Sequence, residues 1–273
     1  MKKKEDKKEM PFLDHLEELR WRIIKSFSSL ILLTIGSFPL TTWILTLLTY
    51  PNAHLAHPAK LVYLKPTAMM MIRMELSISM GLIGSLPVIL YQLWRFVAPG
   101  LLPKEKYYIF PVIFITIVCF SIGALFAYFV IIPVMLPFLF SMGTQFIEAN
   151  INISDYMSFV LRLILISGLV FEMPVLAFFL ARIGLVSHRT LIRFWRYALV
   201  IIFIFCAIVT PTPDPFNQII LAIPLMLLYG ISIWVAALAH RKRKRSEAAS
   251  DVKKPSAKSR KKPKRPVKKA KKR

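Results

Sequence analysis

The chain has 273 residues, 56% hydrophobic and 19% charged, with a mean hydropathy of +0.57. That much apolar surface excludes a water-soluble globular domain of this length and places the chain in a membrane. The formal charge of +23 is lopsided: residues 240–273 hold 18 of the 37 Lys and Arg against Glu247 and Asp251 alone, a surplus of 16 that leaves +7 for the body.

Met1 to Met10 is highly charged, and the first apolar run lacks a small-residue cleavage site, so that run is expected to remain as an anchor. Just before it stands Asp14-His15-Leu16-Glu17-Glu18-Leu19-Arg20-Trp21-Arg22-Ile23. As a helix, this segment puts Phe12, Leu16, Leu19 and Ile23 on one face and gathers Asp14, Glu17 and Glu18 on another. Three carboxylates at a membrane boundary call for a cationic partner. The spacing supplies an internal one, since Arg22 lies four residues beyond Glu18.

About 20 apolar residues cross roughly 30 Å of hydrocarbon. Six runs are candidates: about Ile23–Leu48, ending before Tyr50-Pro51; about Ala68–Phe96, with Pro87; about Tyr107–Leu136, with Pro111 near its start and Pro133 near its end; about Asp155–Arg182, with Ser154 as N-cap and Pro174 inside; Tyr197–Val209; and about Phe216–Leu238, interrupted by Pro224. The fifth, with 13 residues, spans only about 20 Å, so it either forms a re-entrant pair with the sixth or crosses a thinned bilayer. Charge placement favours crossing. Met1–Lys25 carries eight Lys and Arg, Arg95–Lys106 three and Arg182–Arg196 four, whereas the alternate loops carry only Lys60 and Lys65. Six spans with both termini in the cytoplasm account for that asymmetry. The organisation expected is a cytoplasmic amphipathic segment over 1–22, a six-helix membrane domain over 23–239, and a Lys/Arg-rich tail over 240–273. The tail has almost no apolar residues and is expected to be disordered, attracted to anionic lipids rather than to nucleic acid.

Two further acids stand out. Glu105 follows Pro103, which suits the first turn of the third helix, where the helix dipole favours a carboxylate. It shares a membrane edge with Glu18. Glu172 lies near the middle of the fourth span, and an ionisable residue at membrane depth marks a functional site by default. Pro174 cannot donate to the Val170 carbonyl, so a kink with a spare polar group is expected beside it. Arg73, Glu75 and Arg162 belong near the outer ends of their spans and do not read as catalytic. Cys119 and Cys206 read as small buried hydrophobes, and the five His have no metal spacing. Hydrolase, protease and nucleotide-binding motifs are absent, so neither an enzyme nor a cofactor is expected.

As an ordered set, several stretches resemble the TatC family, the multi-spanning receptor of the twin-arginine protein translocase. They are His15-Leu16-Glu17-Glu18-Leu19-Arg20; Pro87 through Leu101 running into Glu105; Phe126-Ala127-Tyr128-Phe129; Ser158-Phe159; Phe171-Glu172-Met173-Pro174-Val175; and Thr210-Pro211 through Asp214-Pro215-Phe216-Asn217-Gln218. The resemblance covers about residues 10–238. It implies an all-α, glove-shaped bundle with short fifth and sixth spans in the bacterial cytoplasmic (inner) membrane. It also implies that Glu18 and Glu105 contact the arginine pair of a signal peptide, with Arg20 in support, and that Glu172 faces the hollow and contacts partners. Pro51, Asp214, Phe216 and Gln218 match outer-side motifs. The partners implied are signal peptides of folded cargo, single-span proteins of the TatA/TatB type and further copies of the chain, with the proton-motive force as energy source. The competing reading is a proton-coupled secondary transporter using Glu172. It would call for inverted repeats, and the sequence shows no obvious one.

Overall fold

The computed structural model describes residues 10–55, 58–97, 109–141, 150–184, 186–210 and 214–252. Over these residues the chain runs back and forth six times. The passes are α1 (Met10–Ser37), a 3₁₀ turn (Phe38–Leu40) and α2 (Thr41–Ala53); then α3 (Ala68–Val97); then α4 (Ile109–Phe126), a π turn (Ala127–Ile131) and α5 (Ile132–Ser141). They continue with α6 (Ile153–Val170) and α7 (Met173–Ile183); then, after the short α8 (His188–Arg193), α9 (Trp195–Val209); then α10 (Pro215–Val252). Five passes contain apolar helices of 25 to 40 residues, enough to cross a membrane. The fifth, α9, has 15 residues, a rise of about 22 Å.

Several boundaries differ from those expected. The first pass does not end before Tyr50-Pro51, because both residues sit in the last turns of α2. Pro51 has no N–H to offer the Leu47 carbonyl one turn back. The Tyr128 phenol donates to that carbonyl instead, at 2.8 Å. Tyr128 lies in the π turn, where the chain has taken up an extra residue just ahead of Pro133. The helix therefore tolerates Pro51 because another pass repairs it.

The cap of α6 is Asn152, whose side chain accepts from the Ser154 N–H, rather than Ser154 itself. The sixth pass is not short, since its apolar part runs from Pro215 to Ala239 straight through Pro224. Membrane helices absorb such a proline without ending. α10 also continues to Val252, into the stretch expected to be disordered. Its Lys, Arg, Glu and Ala are strong helix formers, and this propensity outweighed the low hydrophobicity. Residues 253–273 lie outside the described residues.

A two-stranded parallel ribbon, β1 (Lys60–Val62) on β2 (Asn150–Asn152), joins two connections at the Pro51 end. Asn52 fastens the nearer connection: its amide donates to the Ala59 carbonyl at 3.0 Å and accepts from the Ala59 N–H at 3.2 Å. The main core also lies toward this end. Ile72 and Leu76 of α3, Ile131 and Met135 of the third pass, and Met157, Val160 and Leu163 of α6 are all buried there. Glycines permit the closest approaches: a Cβ on Gly123 would fall 2.7 Å from the Ser167 carbonyl, and one on Gly168 2.6 Å from the Phe120 ring. At the opposite end α1 packs on α3, and α7 on α10. Large apolar side chains such as Phe27, Leu32, Ile35, Ile201 and Trp234 face outward, as lipid contact requires.

Candidate functional site

α1 begins well before its apolar run, so its first turns stand at the end of the bundle beside the last turns of α3. His15, Glu18 and Arg22 are spaced three and four apart and share one face. That face meets α3: the His15 ring stacks on Phe96 with centroids 4.3 Å apart, and Arg22 Nη1 donates to the Gln92 carbonyl at 3.4 Å. The expected apolar face does not do the packing. Leu16 and Ile23 are exposed on the protein, because lipid can cover them while the polar residues need protein partners.

Between the two helices lies an open cleft of about 330 Å³, lined by Glu18, Trp21, Arg22, Lys25, Gln92 and Arg95. Among the described residues Glu18 is its one carboxylate. Arg22 Nη2 donates to Glu18 Oε1, and His15 Nδ1 lies 3.4 Å from Oε2. The hydrogen bond from Arg22 holds the Glu18 carboxyl below its usual range, aided by His15. Arg95 is turned aside, donating to the Tyr91 hydroxyl at 3.2 Å and lying 5.9 Å over that ring. The pairing that helical spacing offered Glu18 is therefore the one that forms.

The other acids of the segment, Asp14 and Glu17, are exposed and do not line the cleft, and neither does Arg20. Glu105 lies outside the described residues. Gln92, Tyr91 and Phe96 are the contributors that helical reasoning on α1 alone missed. Their signal was the run Tyr91-Gln92-Leu93-Trp94-Arg95-Phe96, which puts polar and aromatic groups at the end of an apolar pass.

Glu172 occupies the break between α6 and α7, where Pro174 ends the first helix as expected. The Phe171 and Glu172 amides turn back to Ser167 and Leu169, and the Glu172 carbonyl then starts α7 by accepting from Leu176. The side chain is 7% exposed and faces Thr116 and Cys119 of α4. Among the described residues, neither Glu172 Oε1 nor Thr116 Oγ1 has a hydrogen-bond partner. Thr116 and the Phe120 backbone are the polar groups beside this carboxyl, and such a buried polar cluster with poorly met oxygens marks a place where the apolar interior is incomplete.

At the other end of the bundle, Arg73 and Glu75 stand near the start of α3, and Glu75 Oε2 accepts from the Ser158 hydroxyl at 2.9 Å. Arg162 is exposed. The remaining expected positions serve structure at this end. Asp214 accepts from the Asn217 N–H at 2.8 Å and from its amide at 3.0 Å, capping α10 ahead of Pro215. Gln218 ties α10 to α9 by donating to the Phe203 carbonyl at 2.8 Å, and Phe216 stacks on Phe138 at 4.0 Å.

A family model described as Sec-independent protein translocase protein (TatC) matches residues 14–224. The TatC of Aquifex aeolicus (strain VF5) is 38% identical over 242 residues, covering 88% of this chain and all of that one. The TatC of Helicobacter pylori (strain ATCC 700392 / 26695) is 39% identical over 226 residues, 83% of this chain and 87% of its own. A crystal structure of a twin-arginine translocase receptor, TatC, superposes with a TM-score of 0.74 at 37% identity, covering 82% of this chain and 99% of that one.

Proposed function

The chain belongs to the TatC family of Sec-independent protein translocase proteins, and on that premise we propose that the cleft between α1 and α3 receives the arginine pair of a signal peptide. As a family member the chain is a membrane-embedded core subunit of the twin-arginine translocase, a transport component and not an enzyme. The family assignment leaves the proton-coupled transporter reading without support.

One observation carries the proposal: Glu18 already holds a guanidinium. Its carboxylate accepts from Arg22 at the mouth of an open cleft, where it is 39% exposed. Arginine keeps its charge and presents a planar fork that a carboxylate meets with two hydrogen bonds, which lysine cannot reproduce. Glu105, in the connection that follows Arg95 and Phe96 in the chain, is assigned the second arginine. Arg20, exposed beside the cleft, supports the peptide from outside. The apolar segment of the peptide lies along the lipid-facing surface of the first pass.

Glu172 and Thr116 receive a polar group from a single-span partner of the TatA/TatB type, which supplies the hydrogen bonds their buried oxygens lack. Further copies of the chain join the assembly, and the proton-motive force drives it. The protein sits in the bacterial inner membrane with both termini in the cytoplasm, and the basic tail rests on anionic lipid. Pro51, Asp214, Phe216 and Gln218 keep the outer end rigid.

The test is a photo-reactive residue at position 18 or 105, offered a signal peptide bearing Arg-Arg or Lys-Lys. Labelling of the Arg-Arg peptide alone is expected. Equal labelling of both peptides sinks the receptor assignment.

A further inference from the structure

We propose that Arg22 is an autoinhibitory contact of the Glu18 cleft: it occupies the carboxylate until a ligand presenting its own guanidinium displaces it. The inference rests on the reading of the cleft as a peptide site.

The geometry makes Arg22 an internal stand-in for the ligand. Its side chain is 11% exposed while that of Glu18 is 39% exposed, so an incoming group reaches the carboxylate more readily than it reaches Arg22, past the exposed His15 at Oε2. Arg22 is also poorly satisfied where it sits. Nη1 makes a long 3.4 Å bond to the Gln92 carbonyl, and the buried Nε has no acceptor among the described residues. A guanidinium with one donor unmet holds its carboxylate less tightly than a fully bonded one would. Lys25 and Arg95 line the same cleft, and Arg95 is engaged with Tyr91. Among the described residues a cationic ligand therefore faces Arg22, Lys25 and Arg95 around one carboxylate, and Arg22, which holds Oε1 while His15 lies at Oε2, is the cation that must yield to it.

Displacement compares like with like. A peptide arginine replaces the Arg22 fork with a fork and loses nothing in geometry. A peptide lysine replaces it with a point charge and competes poorly. The cost of moving Arg22 aside is the same for every ligand, so Arg22 lowers the affinity of both peptides alike and leaves the preference for guanidinium to Glu18 itself.

The experiment measures binding of Arg-Arg and Lys-Lys signal peptides to the full chain in nanodiscs, comparing wild type with E18Q, R22Q, R22K and K25Q. K25Q removes the same charge as R22Q without touching Glu18. With R22Q we expect both the Arg-Arg and the Lys-Lys peptide to bind about two- to tenfold tighter than to K25Q, by the same factor, leaving the discrimination between them unchanged. R22K keeps the charge but loses the fork, and should fall between wild type and R22Q. It also carries the test if R22Q fails to fold by thermal midpoint and gel filtration. Equal gains in R22Q and K25Q, or no gain in R22K should R22Q not fold, overturn the role of Arg22. If E18Q binds the Arg-Arg peptide as wild type does, the cleft assignment fails instead, so the two failures are distinguishable.

Discussion

The repair of α2 by Tyr128 is open to a quantitative test. Pro51 leaves the Leu47 carbonyl without its helical donor, and the Tyr128 phenol takes that place at 2.8 Å. Tyr128→Phe removes one hydrogen bond and leaves a carbonyl orphaned, which between membrane helices costs about 0.6 kcal/mol on average and at most about 1.7. We expect about 1 kcal/mol, a fall in thermal midpoint of about 2–4 °C for a chain this long. On a Pro51→Ala background the residue 51 amide can itself donate to Leu47, so most of that cost should vanish. Tyr156 gives an internal control. Its phenol donates at 2.9 Å to the Leu48 carbonyl, whose partner position one helical turn on is Asn52 rather than a proline, so Tyr156→Phe should not couple to position 51. The assay is a double-mutant cycle by thermal unfolding in one detergent. An equal cost of Tyr128→Phe on both backgrounds would refute the reasoning.

Three other outcomes follow from the same structure. Gly123→Ala should lower the thermal midpoint, because its Cβ meets the Ser167 carbonyl and Phe171 at under 3.0 Å, while Gly36→Ala and Gly230→Ala, with nothing within 4 Å, should be neutral or stabilising. Equal effects at the three positions would show that α4 and α6 are not so close. Glu172→Ala should leave signal-peptide binding within about twofold while impairing co-purification of single-span partners and export; loss of peptide binding would contradict the division of roles. Arg22 depresses the Glu18 carboxyl, so this carboxylate's contribution to stability is present above 4.5 and lost as pH falls through the lowered value. Peptide binding should accordingly be flat from pH 8 to about 5, and a decline between pH 8 and 6 would point to a different titrating group.

How much of this was legible in the sequence follows from which forces the sequence exposes. Hydropathy and loop charge marked six passes, and the Pro174 break beside Glu172 could be read from proline chemistry alone. The Glu18–Arg22 pair was legible as an i, i+4 spacing, although not the fact that its face meets α3. In water the apolar face of this segment would have packed inward; at a membrane edge lipid covers Leu16 and Ile23, and the polar face seeks protein. The extension of α2 through Pro51 was not legible. It depends on a phenol about 80 residues away, aimed by a π turn that no local pattern announces. The ribbon between Lys60–Val62 and Asn150–Asn152 was equally hidden, since three-residue strands carry no period.

The central claim is that the Glu18 carboxylate binds a guanidinium of the signal peptide. It is tested most directly by a cycle that combines Glu18→Gln with Gln replacement of each peptide arginine in turn, measuring affinity in nanodiscs. We expect one of the two arginines to couple to Glu18 by about 1.5–3 kcal/mol, as a charge-assisted hydrogen bond would. Additive losses, with no coupling to either arginine, would contradict the assignment.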